Sequence, residues 1–277
     1  MISKLLHLIF IHIYINLPMK INNINNIRQQ EILEELNFNH YVSVTELCKK
    51  LNVSAVTIRK DLTHLEKIGK LYRTHGGATR ESFIVKERHV NKKETLQVEE
   101  KSKIAKAALN FIEDNDFITI SSGTTTQMVA QVIENNYTKL TILTSSLKSA
   151  MLLYGNPNFD VIQLGGDVRT KSGSVMGPYA ELMISNYSCS KLFIGGDGVD
   201  FDFGLSTSST MEAKMNQLMI QNSEKVIVLA DSTKINKRGF GKITDLDKIH
   251  ALITDEGVKN RDVERFEDLG IEVIIAR

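Results

Sequence analysis

The chain has 277 residues, 42% of them hydrophobic and 24% charged, with a net charge of +1. That length suits one large domain or two ordinary ones, and the composition excludes a disordered or membrane-embedded chain. Two distant cysteines, Cys48 and Cys189, have no second Cys or clustered His nearby. They exclude a disulfide framework and a zinc spacing and suit a reducing cytoplasm, with Cys48 expected to be a small core residue.

Residues 1–18, "MISKLLHLIFIHIYINLP", form an apolar run broken by His7, His12 and Asn16. The run is short for a bilayer span, and no small-x-small cleavage site follows. We therefore expect a working protein that begins at Met19, lies in the cytoplasm and has no membrane partner.

Ile32 and Leu36, four apart with Leu33 between them, predict an amphipathic helix over 28–36. Ser43 and Glu46 have the spacing of a capping box, and Val44, Leu47 and Leu51 fall on one face of the helix it opens. Asn52 and Val53 form a turn, and Ser54 can cap a third helix buried along Ile58, Leu62 and Leu65. Gly69 ends that helix, a short extended piece follows, and Gly76 and Gly77 close the unit. Three helices with a tight turn before the third describe a helix-turn-helix.

On the third helix, Val56, Lys60, Thr63 and Lys67 point away from the buried stripe, with Thr57, Arg59 and His64 on its flanks. Between Ser43 and Arg80 there are eight Lys/Arg against three acids, a local surplus in a nearly neutral chain. Such a patch neutralises phosphates or is a solvated helical face.

Residues 79–99 are polar and read as a linker into a helix over 98–112. Ile/Val-rich strands and helices then alternate to the end, which predicts a mostly parallel sheet covered on both faces. Ligands of such sheets sit beyond the carboxyl ends of the strands. There the sequence places Ser122, Gly123, Thr124, Thr125 and Thr126 after "FITI", where a glycine and a helix start suit a phosphate. Arg169 and Lys234 follow two other strands as anion partners, and Asp197, Asp200 and Asp231 stand where carboxylates can accept from sugar hydroxyls.

Residues 28–78 resemble the helix-turn-helix of the DeoR family of bacterial transcription regulators. The resemblance rests on Val53-Ser54, Thr57-Ile58-Arg59, Asp61-Leu62, Leu65-Glu66, Gly69, Leu71, Arg73 and His75-Gly76-Gly77-Ala78. "SGTTT", "LGGDVR", Gly177-Pro178, "GGDGVD", "GLST", Glu212 and "LADSTK" follow in the order of that family's effector domain. Ser121 and Ser145 stand where family members commonly carry Asp and Asn.

The resemblance implies a winged helix-turn-helix over 19–78, a linker over 79–99 and, over 100–277, a mostly parallel α/β domain similar to sugar-phosphate isomerases. DNA contacts then fall to Ser54, Val56, Thr57, Arg59, Lys60, Thr63, Arg73 and His75. The implied effector is a phosphorylated sugar that releases a repressor from its operator, bound by the Ser122–Thr126 loop, Arg169, Asp197, Asp200, Glu212, Asp231 and Lys234. No cofactor is implied, and operator symmetry calls for a homo-oligomer.

The rival reading is an active isomerase, with Glu212 as base. Ile194 stands where those enzymes carry an acid, and their following lysine is missing near Gly204, so we expect no enzyme. If residues 1–18 are dispensable, a chain begun at Met19 folds and binds DNA like the full-length chain, checked by thermal melting and DNA titration of the two side by side.

Overall fold

The fold is taken from a computed structural model, which describes residues 27–39, 41–74, 76–80, 84–85, 87–133 and 137–277. The apolar stretch 1–18 and His75 lie outside the described residues. The chain divides into two compact units, Met1–Phe83 and Ile84–Arg277.

In the first unit, α1 (Ile27–Asn39), α2 (Val44–Leu51) and α3 (Ala55–Lys67) bury Ile32, Leu36, Leu47, Ile58, Leu62 and Leu65 in one core. Cys48 is half-buried and packs at its edge. Ser43 Oγ accepts from Glu46 N at 3.0 Å while the Glu46 carboxylate accepts from Ser43 N at 3.2 Å, closing the capping box. Asn52 takes the left-handed conformation between α2 and α3 (φ 50°), and Ser54 accepts from Thr57 N at 3.3 Å to start α3.

Gly69, at φ +71°, ends α3 with its N–H donating to Glu66 O (2.9 Å) and that of Lys70 to Leu65 O (2.9 Å). Strands β1 (Tyr41–Ser43), β2 (Tyr72–Thr74) and β3 (Gly77–Thr79) then form an antiparallel wing in the order β1-β3-β2. A Cβ on Gly77 would lie 1.9 Å from Val42 O, so only glycine lets β3 approach β1 there.

Asp61 is buried in the middle of α3. It accepts from Arg28 Nε (2.6 Å) and Gln29 Nε2 (3.0 Å), both on α1.

The second unit begins with α4 (Val90–Glu94) and α5 (Val98–Ala108). The segment read as a linker thus carries a helix, and the helix expected over 98–112 ends in a 3-10 turn at Leu109–Phe111. A seven-stranded parallel sheet follows, in the order β15-β14-β12-β9-β4-β5-β6. Its strands are β4 (Phe117–Ile120), β5 (Leu140–Thr144), β6 (Phe159–Gln163), β9 (Cys189–Gly195), β12 (Ser223–Leu229), β14 (Ala251–Asp255) and β15 (Glu272–Ala276).

Helices α5, α6 (Thr124–Val132) and α7 (Leu147–Leu153) bury Ile104, Val129 and Leu153 against one face. Helices α8 (Pro178–Ile184), α9 (Thr210–Gln221) and α10 (Asn260–Asp268) bury Ile184, Met219 and Phe266 against the other. Phe193 of β9 belongs to the first core, and its neighbours Leu192 and Ile194 to the second, as a strand covered on both faces requires.

The hairpin β7 (Asp167–Arg169)–β8 (Ser174–Met176) was not expected, nor was the small sheet β10 (Gly198–Asp200)–β11 (Gly204–Thr207)–β13 (Gly241–Thr244). These strands are three or four residues long and rich in Gly and polar residues, so they show no period. Helix α10 was missed because Val263 and Phe266 are its only large apolar residues.

Burial pushes the Asp61 carboxyl up, but the hydrogen bonds from Arg28 and Gln29 and the charge of Arg28 outweigh it and hold it below the usual carboxylate range. Its contribution to stability is therefore full above the unfolded value of about 3.9 and fades as pH falls through the lower folded value. Asp61→Asn is expected to cost about 1–3 kcal/mol at neutral pH. Denaturation curves at pH 7 and pH 3 should show the gap from wild type narrowing in acid.

Candidate nucleic-acid interface and effector pocket

The expected DNA-reading residues lie together on the outer side of α3. Ser54, Val56, Arg59, Lys60 and Thr63 are exposed and Thr57 is half-buried. The first turn is fastened by its own side chains, with Ser54 Oγ 3.0 Å from Thr57 Oγ1. Thr63 donates to Arg59 O (2.7 Å) and accepts from Arg73 Nη1 (3.0 Å), so Thr63 and Arg73 brace the wing against α3. Arg73 N also donates to Glu66 Oε1 at 3.0 Å. A rigid, basic helix N-terminus with an adjoining wing is what major-groove docking requires.

In the second unit the strands after β4 run outward through β5 to β6, and those after β9 run the opposite way through β12 and β14 to β15. The winding reverses between β4 and β9, so a crevice opens beyond their carboxyl ends. Ser121 N donates to Phe193 O (3.0 Å), joining the two strands at its floor. Ser121 Oγ is buried there without a hydrogen-bond partner among the described residues.

The loop Ser122-Gly123 rises from this floor into α6. No side chain caps α6, and its first intrahelical bond runs from Gln127 N to Gly123 O at 2.9 Å. The N–H groups of Thr124, Thr125 and Thr126 thus begin the helix without helical acceptors. They present partial positive charge to the crevice. The Thr126 side chain is turned inward, where its hydroxyl lies 2.7 Å from Ser121 O and 3.0 Å from Gly123 O and shapes the loop.

Three other expected residues meet in one polar network. Asp197, just after β9, accepts from Lys93 Nζ (2.6 Å), Ser208 N (2.9 Å) and Ser208 Oγ. Thr207 Oγ1 stands between Asp197 Oδ2 (3.4 Å) and Glu212 Oε2 (3.3 Å). Glu212 Oε1 in turn accepts from Arg169 Nη1 (3.2 Å) and Ser174 Oγ (3.3 Å). Burial pushes the Asp197 carboxyl up, but the charge and hydrogen bond of Lys93, with those from Ser208, hold it below the usual range.

Two other expected carboxylates accept hydrogen bonds within turns. Asp200 accepts from Asp202 N and Phe203 N, both at 2.9 Å, and pairs with Arg238 at 2.8 Å. No hydrogen bond or ion pair joins it to the network among the described residues, because the β10–β11 turn consumes it. Asp231, buried after β12, accepts from Thr233 N (3.1 Å) and Thr233 Oγ1. It thereby caps the 3-10 turn Ser232–Lys234 that carries the half-buried Lys234.

Lys93 and Lys101 were missed. Lys93 lay in the supposed linker and gave no signal. Lys101 did give one, since it shares a stripe with the buried Ile104, Ala105 and Ala108 at helical spacing. Burial lowers its pKa, partly offset by the charge of Asp231, and its Nζ donates to the carbonyls of Lys93 and Leu96 (2.6 Å to the latter). A lysine on an apolar stripe needs such partners.

Comparison with known proteins assigns both units. The family described as the DeoR-like helix-turn-helix domain matches residues 28–82, and that of the DeoR C terminal sensor domain matches 96–256. An uncharacterized HTH-type transcriptional regulator, YulB of Bacillus subtilis (strain 168), is 36% identical over 246 residues, 89% of this chain and 95% of that protein. A lactose phosphotransferase system repressor of Staphylococcus epidermidis is also 36% identical, covering 89% of this chain and 98% of its own. Ribose 5 phosphate isomerase A from Neisseria gonorrhoeae aligns over 51% of this chain and 55% of its own, at 22% identity and a TM-score of 0.38.

The chain belongs to the DeoR family of transcription regulators. Its relatives along nearly the whole length are regulators, so it is a regulator and not an enzyme. Among the described residues no helix is long and apolar enough to cross a membrane.

Proposed function

We propose that this protein is a cytoplasmic repressor of a sugar or amino-sugar operon that leaves its operator when a phosphorylated sugar binds. DNA binding falls to the first unit and effector binding to the second, with the active form a homo-oligomer matched to operator symmetry. The relative named as a lactose phosphotransferase system repressor supports the carbohydrate class. The observation that carries the reading is the uncapped start of α6 at the point where the sheet's winding reverses.

A phosphate there meets free N–H groups and the partial charge of a helix end, with Lys234 and Lys101 as the cations contributed by neighbouring elements. Charge-assisted contacts of this kind contribute about 1.5–3 kcal/mol each, so the non-phosphorylated sugar binds far more weakly. The sugar's hydroxyls then face Asp197, Thr207 and Glu212. The effector acts on DNA only through a difference in affinity between two states of the protein, so operator and effector weaken each other by the same factor.

Two variants test the two ends of this reading. Arg59→Ala is expected to weaken operator binding by about 1–3 kcal/mol if Arg59 reads a guanine, with little change on random DNA. An equal loss on both would assign Arg59 to phosphate, and no loss on either would overturn the docking.

Thr125→Asp puts a carboxylate at a buried position in the first turn of α6, where the helix-end charge favours it and an incoming phosphate is repelled, with thermal melting as the check that the variant folds. The expected variant binds operator normally and stays bound as sugar phosphate is added. Release equal to wild type, read by fluorescence anisotropy of labelled operator, would reduce the Gly-Thr loop to a turn.

A further inference from the structure

The segment Glu87–Glu94 follows the first unit within a few residues, and its charged side chains reach the effector pocket. Glu87 pairs with Arg169 Nη2 through one oxygen and with Lys171 Nζ through the other (2.8 Å). Lys93 pairs with Asp197, and Glu94 pairs with Lys148. Val90 N donates to Lys171 O at 2.9 Å, on the same β7–β8 hairpin. Val90 is the only buried apolar residue of the segment among those described. Ion pairs from Glu87, Lys93 and Glu94, the Val90 main-chain bond and the hydrogen bond from Lys101 Nζ to Lys93 O, with little apolar area, therefore fasten it to the sensor.

Arg169 is the central partner. Its guanidinium is shared between Glu212, deep in the network, and Glu87, which also spans to Lys171. A carboxylate bridging two cations occupies the place an external oxyanion would take. Two anions cannot share that place without repulsion, so one leaves when the other arrives.

We propose that Arg169 and Lys171 form an anion subsite of the sensor, that Glu87 fills it in the resting protein, and that an anionic ligand frees the Glu87–Glu94 segment by displacing that carboxylate. The inference rests on the reading of the second unit as an effector-binding sensor, and it adds a location for the switch. The freed piece follows Ile84 and Val85, which stay held to Arg238 by a parallel bridge and by Val85 N donating to Arg238 O (2.8 Å), so its release loosens the sensor's first helix close to where the chain enters from the DNA-binding unit.

Hydrogen exchange on the full-length protein, with inorganic phosphate as probe and chloride at matched ionic strength as control, tests it. In wild type, amides of residues 87–94 should exchange several-fold faster with phosphate than with chloride. Glu87→Gln should exchange fast in both salts and bind phosphate several-fold more tightly by calorimetry. Glu87→Asp, which keeps the charge, should keep the phosphate response.

Unchanged exchange and unchanged phosphate affinity in Glu87→Gln would overturn the proposal, as would failure of that variant to bind phosphate at all. The Thr125→Asp variant separates this inference from the functional reading. If it abolishes phosphate binding while Glu87→Gln changes nothing, the α6 cradle stands and the Glu87 switch falls. If it binds phosphate as wild type does and the segment still loosens, the Arg169–Lys171 subsite stands and the cradle falls.

Discussion

The reversal of winding between β4 and β9 is the constraint from which the sensor site follows. A right-handed crossover leaving β4 goes toward β5, and one leaving β9 goes toward β12, so no helix covers both carboxyl ends. The space between them stays open while both faces of the sheet are sealed by helices. The groups gathered there come from segments far apart in the chain: Gly123 after β4, Asp197 after β9, Asp231 after β12, Arg169 at the end of β7 and Glu212 on α9. The sheet brings them together without any of them contributing to the core, which frees their identities for chemistry.

The pocket satisfies its own charges. Asp197 has Lys93, Glu212 has Arg169, and the Lys101 ammonium rests on two carbonyls. An unpaired charge at this burial would cost several kcal/mol, so the resting protein depends on these internal partners. A ligand at these charged groups would exchange partners with the site, whereas one at the start of α6 would add to N–H groups that have no helical acceptor. Such exchange gives a modest net gain per contact, and it couples binding to the movement of whatever was displaced.

Much of this was legible in the sequence. The capping box of Ser43 and Glu46, the stripe Ile58-Leu62-Leu65 and the β/α alternation each follow from periodicity and local hydrogen bonding, which act over a few residues. What stayed hidden depends on distant partners. In the sequence Asp61 stood out only as an acid in a basic stretch and as part of a family motif, while its partners Arg28 and Gln29 lie 33 and 32 positions away on α1. Asp200 and Asp197 look alike in "GGDGVD", yet one closes a turn against Arg238 and the other sits on Lys93, a difference set by residues 38 and 104 positions away. Val90–Glu94 showed no amphipathic period because ion pairs hold it in place of an apolar stripe.

The Asp61 contact has a geometric consequence for DNA reading. Leucine and isoleucine side chains tolerate small rotations of a helix about its own axis, since dispersion contacts are numerous and individually weak. A carboxylate held by a guanidinium and an amide does not, because hydrogen bonds decline steeply with angle. Asp61 sits two residues beyond Arg59 on the same helix, so the fork from α1 sets the azimuth of α3. The direction in which Arg59 leaves the protein is indexed by a buried charge rather than by the packing of the core.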